Sequence, residues 1–283
     1  MTNNRILITG GTGYLGSELV HQAATQGWDI IATYHRQAPL EQPQLRWHTL
    51  DLREPDTIAE LCATYQPDVI IHTAYIQSGP HLEQITAHGS AAIAQAATKH
   101  AARLIHISSD AIFNGDKTEP YTEQDAPSPI TAYGHAKAQA EAYVATYCPE
   151  ALIIRTSLIY GGAHPSAHEQ LILSTLRGEQ DIAFFTDEIR CPIVVSDLAA
   201  ALLELASSQQ HGILNIAGAD SVSRADFARL IARANGYDPA KLRFARSADQ
   251  PVKRPRNCAL NTSMAKSLLK SHIRGVYEYL STY

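Results

Sequence analysis

The chain is sparing with cysteine, with tryptophan and with positive charge, and each shortage excludes something. Four cysteines (Cys62, Cys148, Cys191, Cys258) are scattered over 283 residues with no C-x-x-C pair. That excludes a disulfide framework and reads as reduced thiols. No run of 18 apolar residues occurs, so no helical membrane span is expected. Basic residues are not in excess: 23 Lys+Arg face 28 Asp+Glu, a formal charge of −5. A protein devoted to nucleic acid or an anionic membrane carries the opposite balance. The opening MTNNRILITGG reaches glycine too soon for a signal peptide. With the reduced thiols, this predicts a cytoplasmic location. What the chain does have is 45% apolar and 18% charged residues, enough to bury a substantial core and unlike a disordered chain.

Short β-branched runs alternate with longer amphipathic stretches. Strands are expected at Arg5–Thr9, Asp29–Tyr34, Trp47–Leu50, Asp68–His72, Arg103–Ser108 and Ala151–Thr156. Helices are expected between them at Tyr14–Gln26, Asp56–Tyr65, Leu82–His100 and Ala132–Tyr147. Strands separated by helix-length segments predict right-handed crossovers and a buried parallel sheet. The fold class is α/β: a doubly wound parallel (Rossmann) sheet with a smaller C-terminal substrate lobe over the sheet's carboxyl ends. The core is expected over residues 1–160, with 193–216 returning to it through a strand at Gly212–Ile216, and the lobe over 161–283. Helices are expected in that half at Asp197–Ala206 and Ala225–Ala234. Between Arg233 and Arg256 seven basic residues face two acidic ones.

Gly10, Gly13 and Gly16 form G-x-x-G-x-x-G between the first strand and the first helix. Glycines there allow a tight turn, let main-chain N–H groups approach a pyrophosphate, and leave the positive end of the helix open to it. The triplet alone is weak, since glycines also make ordinary strand–helix turns; its position at the first β-α junction gives it weight. The second strand ends Thr33-Tyr34-His35-Arg36, without the carboxylate that would bind a free ribose 2′-hydroxyl. Arg36 could instead pair with a 2′-phosphate, so NADP(H) is expected, with NAD(H) as the alternative; a solvated surface arginine is the plainer reading. Asp51-Leu52 follows the third strand, where the carboxylate can accept from an adenine amino group or cap the next helix.

Tyr133 and Lys137 are four apart in an alanine-rich segment and share a helix face. A phenol with an ordinary pKa of about 10 becomes a useful acid at neutral pH only when a cation stabilises its phenolate, and a neighbouring ammonium does this. The pattern Y-x-x-x-K is cheap, at about 0.3 chance occurrences in a chain of this composition. Tyr237 and Lys241 are a second instance, but Pro239 between them argues against a regular helix. Ser109 follows the fifth strand at the sheet edge where this fold puts ligands, and could polarise a substrate carbonyl; a turn cap shared with Asp110 is the alternative.

The segments ILITGGTGYLG (Ile6–Gly16), ISSDAIFNG (Ile107–Gly115), YGHAK (Tyr133–Lys137), RTSLIYG (Arg155–Gly161), CPIVVSDLA (Cys191–Ala199) and RPRNCAL (Arg254–Leu260) together resemble an extended short-chain dehydrogenase/reductase. Within that group the chain resembles the dTDP-4-dehydrorhamnose reductase family over nearly its whole length. The resemblance implies that Tyr133 protonates a substrate carbonyl, that Ser109 polarises it, and that Lys137 holds the nicotinamide ribose and lowers the Tyr133 pKa. It implies cofactor contacts at Gly10, Thr12, Gly13, Tyr14, Leu15, Gly16, Arg36, Asp51, Leu52, Ala74 and Tyr75. It further implies substrate contacts at Ser109, Asp110, Arg190 and Arg254, the two arginines toward a nucleotide-sugar diphosphate. Departures stand beside it: Ala111 and Leu158 replace aromatics common in the family, which would enlarge the sugar pocket, and Thr86 replaces a common asparagine. The acidic motif tied to metal-assisted dimerisation in some members is absent around Gln77–Glu83.

The expected activity is NADPH-dependent reduction of a keto group on a nucleotide-activated sugar or similar small polar ketone. An NADP-binding regulatory or scaffold subunit is the alternative, since methionine adenosyltransferase regulatory subunits also resemble this family. Epimerase or dehydratase chemistry is a third reading. The partner is expected to be an anionic small molecule, with no nucleic acid and no membrane, and a homodimer stays open. His164 and His168 are four apart, but Pro165 sits beside the first and no third ligand completes a set, so no metal is expected.

Overall fold

A strand covered by helices on both faces must be apolar at nearly every position. Ile6-Leu7-Ile8, Ile30-Ile31-Ala32 and Val69-Ile70-Ile71 meet that condition, and all are buried. The computed structural model describes residues 5–36, 39 and 45–281; residues 1–4, which open the segment read above for a leader, lie outside them. Among the described residues the strands are β1 (Arg5–Thr9), β2 (Asp29–Tyr34), β3 (Leu45–Thr49), β4 (Val69–His72), β5 (Arg103–Ser109), β6 (Leu152–Thr156), β7 (Ile159–Tyr160), β8 (Ala183–Phe185), β9 (Ile189–Arg190), β10 (Ile193–Val194), β11 (Gly212–Asn215), β12 (Val222–Ser223) and β13 (Arg243–Ala245). The helices are α1 (Tyr14–Thr25), α2 (Pro55–Tyr65), α3 (Gly89–Lys99), α4 (Ala132–Tyr147), α5 (Ala167–Leu176), α6 (Val195–Ala206), α7 (Arg224–Ala234), α8 (Ser263–Leu268) and α9 (Val276–Leu280). Among the described residues no helix is long and apolar enough to cross a membrane.

Seven strands form the main sheet in the order β11-β6-β5-β4-β1-β2-β3. β1 pairs in parallel with both β2 and β4, and β4 with β5. The order reverses between β1 and β4, which is where a doubly wound sheet opens a crevice at its carboxyl edge. The late strand β11 lies in this sheet beside β6.

The chain divides into two compact units. Of the described residues, one holds those up to Ser109 with Ala132–Arg155 and Ala199–Leu214; the other holds Asp110–Thr131, Thr156–Leu198 and those from Asn215 onward. The segment 110–131, assigned to the core from sequence, therefore groups with the second unit. Tyr121 explains this: its N–H donates to the Ala259 carbonyl (2.8 Å) and its carbonyl accepts from the Asn215 side chain (3.0 Å). The second unit is built on three two-stranded ladders, β7 with β10, β8 with β13 and β9 with β12. Its core centres on Tyr160, which meets Phe227 and Tyr279 edge-on at 5.3 and 5.6 Å.

Candidate active site

The glycine loop has no room for side chains. A Cβ on Gly16 would lie 2.1 Å from the Gly10 carbonyl oxygen, and one on Gly11 would meet the Trp47 ring at 2.8 Å. Gly10 has φ +68° and a Cβ there would touch Ala74, so the turn after β1 and the residues after β4 are in contact. The N-cap of α1 is Gly13, which supplies no side-chain acceptor, and the first turn holds no acidic residue. The positive end of α1 is thus left for an anion, with glycine backbone around it: a cradle that fits a dinucleotide's pyrophosphate. Thr12 is exposed, Tyr14 half-buried, and Leu15 turns inward to anchor the helix.

Arg36 is exposed just beyond β2. Asp51 accepts from Arg53 through both side chain and backbone N–H, and this pairing holds its carboxyl at about 2. It does not cap α2, whose N-cap is Glu54. Leu52 is buried.

Beneath the carboxyl edge lies a buried polar layer on the α3–α4 face of the sheet. A directed chain of hydrogen bonds crosses it: Thr9 Oγ1 to His72 Nδ1 (2.7 Å), His72 Nε2 to Ser90 Oγ (3.1 Å), and Ser90 Oγ to the Thr86 carbonyl (2.7 Å). His106 lies beside His72, with ring centroids 5.4 Å apart. Burial keeps both imidazoles neutral, His72 at about 3. Arg155 and Glu141 form a fully buried fork–fork pair, at 1% and 6% side-chain exposure, through contacts of 3.1 and 2.8 Å.

Lys137 rises from α4 into this layer. Its ammonium donates to the Ile107 carbonyl (2.7 Å) and sits 4.6 Å from the centre of the Tyr75 ring. Burial pulls its pKa down to about 7, against an upward pull from Glu141 one turn along. Tyr133, one turn earlier on α4, has its ring 5.7 Å from that of Tyr75. Tyr75 thus touches both members of the predicted pair. The second Y-x-x-x-K has no such geometry, because Pro239–Lys241 is a single 3₁₀ turn capped by Asp238. Ser109 ends β5 and is half-buried.

The helix read from sequence as continuous over Leu82–His100 is not regular: Gln84–His88 is a π-turn leading into α3. Thr86 sits on it, buried. Its Oγ1 donates to the Ile76 carbonyl (3.0 Å) and accepts the Ile76 N–H (3.2 Å), so this hydroxyl clamps the chain after β4 instead of reaching outward. Such π-insertions concentrate at functional sites.

In the second unit, Asp110 is buried and accepts from Ser157 Oγ at 2.6 Å. Arg190, also buried, donates to the carbonyls of Ile189, Arg256 and Pro255 and lies 3.7 Å from Asp110. Arg254 pairs with the buried carboxylate of Glu188 at 2.5 Å. Leu158 is buried and Ala111 half-buried. His164 precedes the Ser166 cap of α5 while His168 lies within the helix, so they do not share a helix face.

Residues 4–282 of the sequence match the profile of the RmlD substrate binding domain. The chain belongs to that family. As an RmlD-family protein it is an oxidoreductase, with relatives that are reductases by name. It is 30% identical to the probable low-salt glycan biosynthesis reductase Agl14 of Haloferax volcanii, over 90% of this chain and 89% of that one. It is also 30% identical to the dTDP-4-dehydrorhamnose reductase of Mycobacterium tuberculosis, over 90% and 83% respectively. The same RmlD fold is seen in the dTDP-4-dehydrorhamnose reductase of Bacillus anthracis, solved in complex with NADP: TM-score 0.83 at 24% identity, covering 100% of this chain and 98% of that one.

Several buried groups of this RmlD-family site escaped the reading of the sequence. His72, His106, Arg155 and Glu141 each interrupt an apolar run or a helix face that is otherwise interior. A charged or imidazole side chain inside VIIH, LIHIS or LIIRT was the available signal, because such groups are buried only when partnered or put to use.

Proposed function

We propose that the protein is an NADPH-dependent reductase of a keto group on a nucleotide-activated sugar. The single observation that carries the reading is Lys137: a buried ammonium one helical turn from Tyr133, with Tyr75 against both. A buried cation is costly, and this one is held by a carbonyl and an aromatic face instead of by a carboxylate. It is placed to stabilise the Tyr133 phenolate. The glycine loop and the open end of α1 hold the pyrophosphate, and exposed Arg36 reads the 2′-phosphate of NADPH. Ala74, Tyr75, Asp51 and Leu52 complete the cofactor contacts.

When bound, the dinucleotide supplies the hydride. Tyr133 gives its phenolic proton to the carbonyl oxygen, and Ser109 donates a hydrogen bond to the same atom. Lys137 offsets the negative charge left on the phenol. Asp110, Arg190 and Arg254 belong to the substrate side, which takes an anionic nucleotide sugar. Preorganised donors of this kind act by proximity and electrostatics.

Tyr133→Phe tests the reading. Turnover of a nucleotide keto sugar, followed by NADPH absorbance, should fall about 10²–10⁴-fold, with NADPH affinity nearly unchanged. Unaltered turnover in that variant refutes the assignment. A protein that oxidises no NADPH over a broad keto-sugar panel but holds a stoichiometric partner would be a regulatory subunit.

A further inference from the structure

The arginines of the second unit are not equivalent. Arg190 spends its guanidinium on three backbone carbonyls and thereby latches the 255–256 segment. Arg254 is matched to the buried carboxylate of Glu188, with the Phe185 ring 5.2 Å from its guanidinium. Arg224 opens α7 and is half-buried. Its backbone N–H donates to the Glu188 carbonyl (2.8 Å), continuing the antiparallel register in which Val222 faces Arg190. The register brings Arg224 alongside Glu188 and next to Arg190. Its guanidinium, however, makes no hydrogen bond or ion pair among the described residues.

Several features make this placement unfavourable for folding alone. A cation at the first position of a helix opposes the helix dipole. Burial, then the charges of Arg190 and Arg254, pull the Arg224 pKa down to about 10, with only Glu188 and Asp110 acting the other way. The same two cations, Arg224 and Arg190, join burial in holding His168 neutral at about 4. Three guanidiniums thus stand over two carboxylates: Arg254 takes Glu188 and Arg190 lies 3.7 Å from Asp110, so Arg224 is the cation left without a carboxylate of its own among the described residues. A cation set against its neighbours' charges, with no partner for its own guanidinium, is the kind of local conflict that functional sites keep.

We propose that Arg224 is the residue that bonds the diphosphate of the nucleotide-linked substrate, its fork completed by two non-bridging phosphate oxygens, while Arg190 and Arg254 build the wall around it. This rests on the functional reading above and assigns the diphosphate contact to a residue that reading does not use. Arginine's planar fork suits phosphate oxygens, and a doubly charged group supplies the missing counter-charge.

The test is calorimetric titration of the NADP⁺-saturated protein with dTDP, UDP and GDP, each beside its own nucleoside, in the wild type, Arg224→Gln and Arg224→Lys. Arg224→Gln should weaken the bound diphosphates roughly 10- to 100-fold, leave nucleoside and NADP⁺ affinities in place, and melt no lower than the wild type. Arg224→Lys should retain part of the affinity. Diphosphate affinity unchanged in Arg224→Gln, or a parallel loss for the nucleosides, overturns the assignment, as does a wild type that binds none of the three. A wild type that binds a diphosphate but reduces no keto sugar overturns the reductase reading instead, and the Arg224 effect on that diphosphate is still measured.

Discussion

Lys137 makes a quantitative demand on stability. Its ordinary pKa is 10.5 and the folded protein holds it at about 7. A base whose pKa is lowered on folding binds more protons when unfolded, so stability rises with pH between the two values. Below pH 7 the ammonium is charged in both states and the folded state bears the full burial cost. Between pH 6 and 9 the linkage yields a gain of roughly 2–3 kcal/mol, from about 1.4 kcal/mol per pKa unit. The groups facing Lys137 do not blur the reading. His72 on β4 and His106 on β5 are neutral throughout this range, held down first by burial and then by Lys137 itself. Tyr75 contributes a ring face, and Glu141 on α4 is fixed in its pair with Arg155. The assay is urea unfolding of the wild type and Lys137→Met at half-unit steps of pH. The wild-type unfolding free energy minus that of the variant should rise by roughly 2–3 kcal/mol across the window. A flat or falling difference refutes both the depressed pKa and the claim that Lys137 is retained against stability.

Three further outcomes follow from the geometry. Glu141→Gln leaves the Arg155 charge buried without its carboxylate and should cost about 3–5 kcal/mol in unfolding free energy, whereas Glu141→Leu combined with Arg155→Leu should recover most of that; equal losses in the two would show that charge pairing is not the cause. Gly16→Ala drives a Cβ into the Gly10 carbonyl at 2.1 Å, so NADPH affinity by fluorescence titration should fall at least tenfold, about 1.4 kcal/mol, and unchanged affinity would exclude the loop as the pyrophosphate cradle. Arg36→Ala should reduce NADPH affinity while sparing NADH, narrowing the ratio about tenfold, as one charge-assisted contact predicts; a ratio left as it was removes Arg36 from the cofactor site.

The sheet was legible because its strands are buried on both faces, so that RILIT, DIIATY and DVIIH could be little else. The helix α4 was legible to the residue, although alanine stands on both its buried and its exposed faces. Tyr133 and Lys137 could be separated from Tyr237 and Lys241 because proline forbids the second alignment. The π-turn was not legible: the sequence Gln84–His88 is compatible with an ordinary helix, and the bonds of Thr86 to Ile76, ten residues away, exist only in the fold. The grouping of 110–131 with the second unit was hidden for the same reason, since Tyr121 meets Ala259 and Asn215 only in three dimensions. Nor does composition distinguish Arg224 from Arg190 and Arg254, because the difference lies in which oxygens each guanidinium reaches.

The hydrogen-bond chain through His72 has a direction. Ser90 Oγ has one hydrogen and gives it to the Thr86 carbonyl, so it can only accept from His72 Nε2. His72 must then carry its hydrogen on Nε2 and accept from Thr9 at Nδ1, which leaves Thr9 Oγ1 accepting the N–H groups of Thr73 and Ala74. No member can reverse alone, and a proton added to His72 at Nδ1 would make Thr9 Oγ1 the acceptor and turn its own hydrogen away. The glycine-loop end of β1, the chain leaving β4 and the start of α3 are therefore wired as a single mechanical piece. Three bonds of fixed sense thus join Thr86 on the π-turn to Thr9, the residue before Gly10.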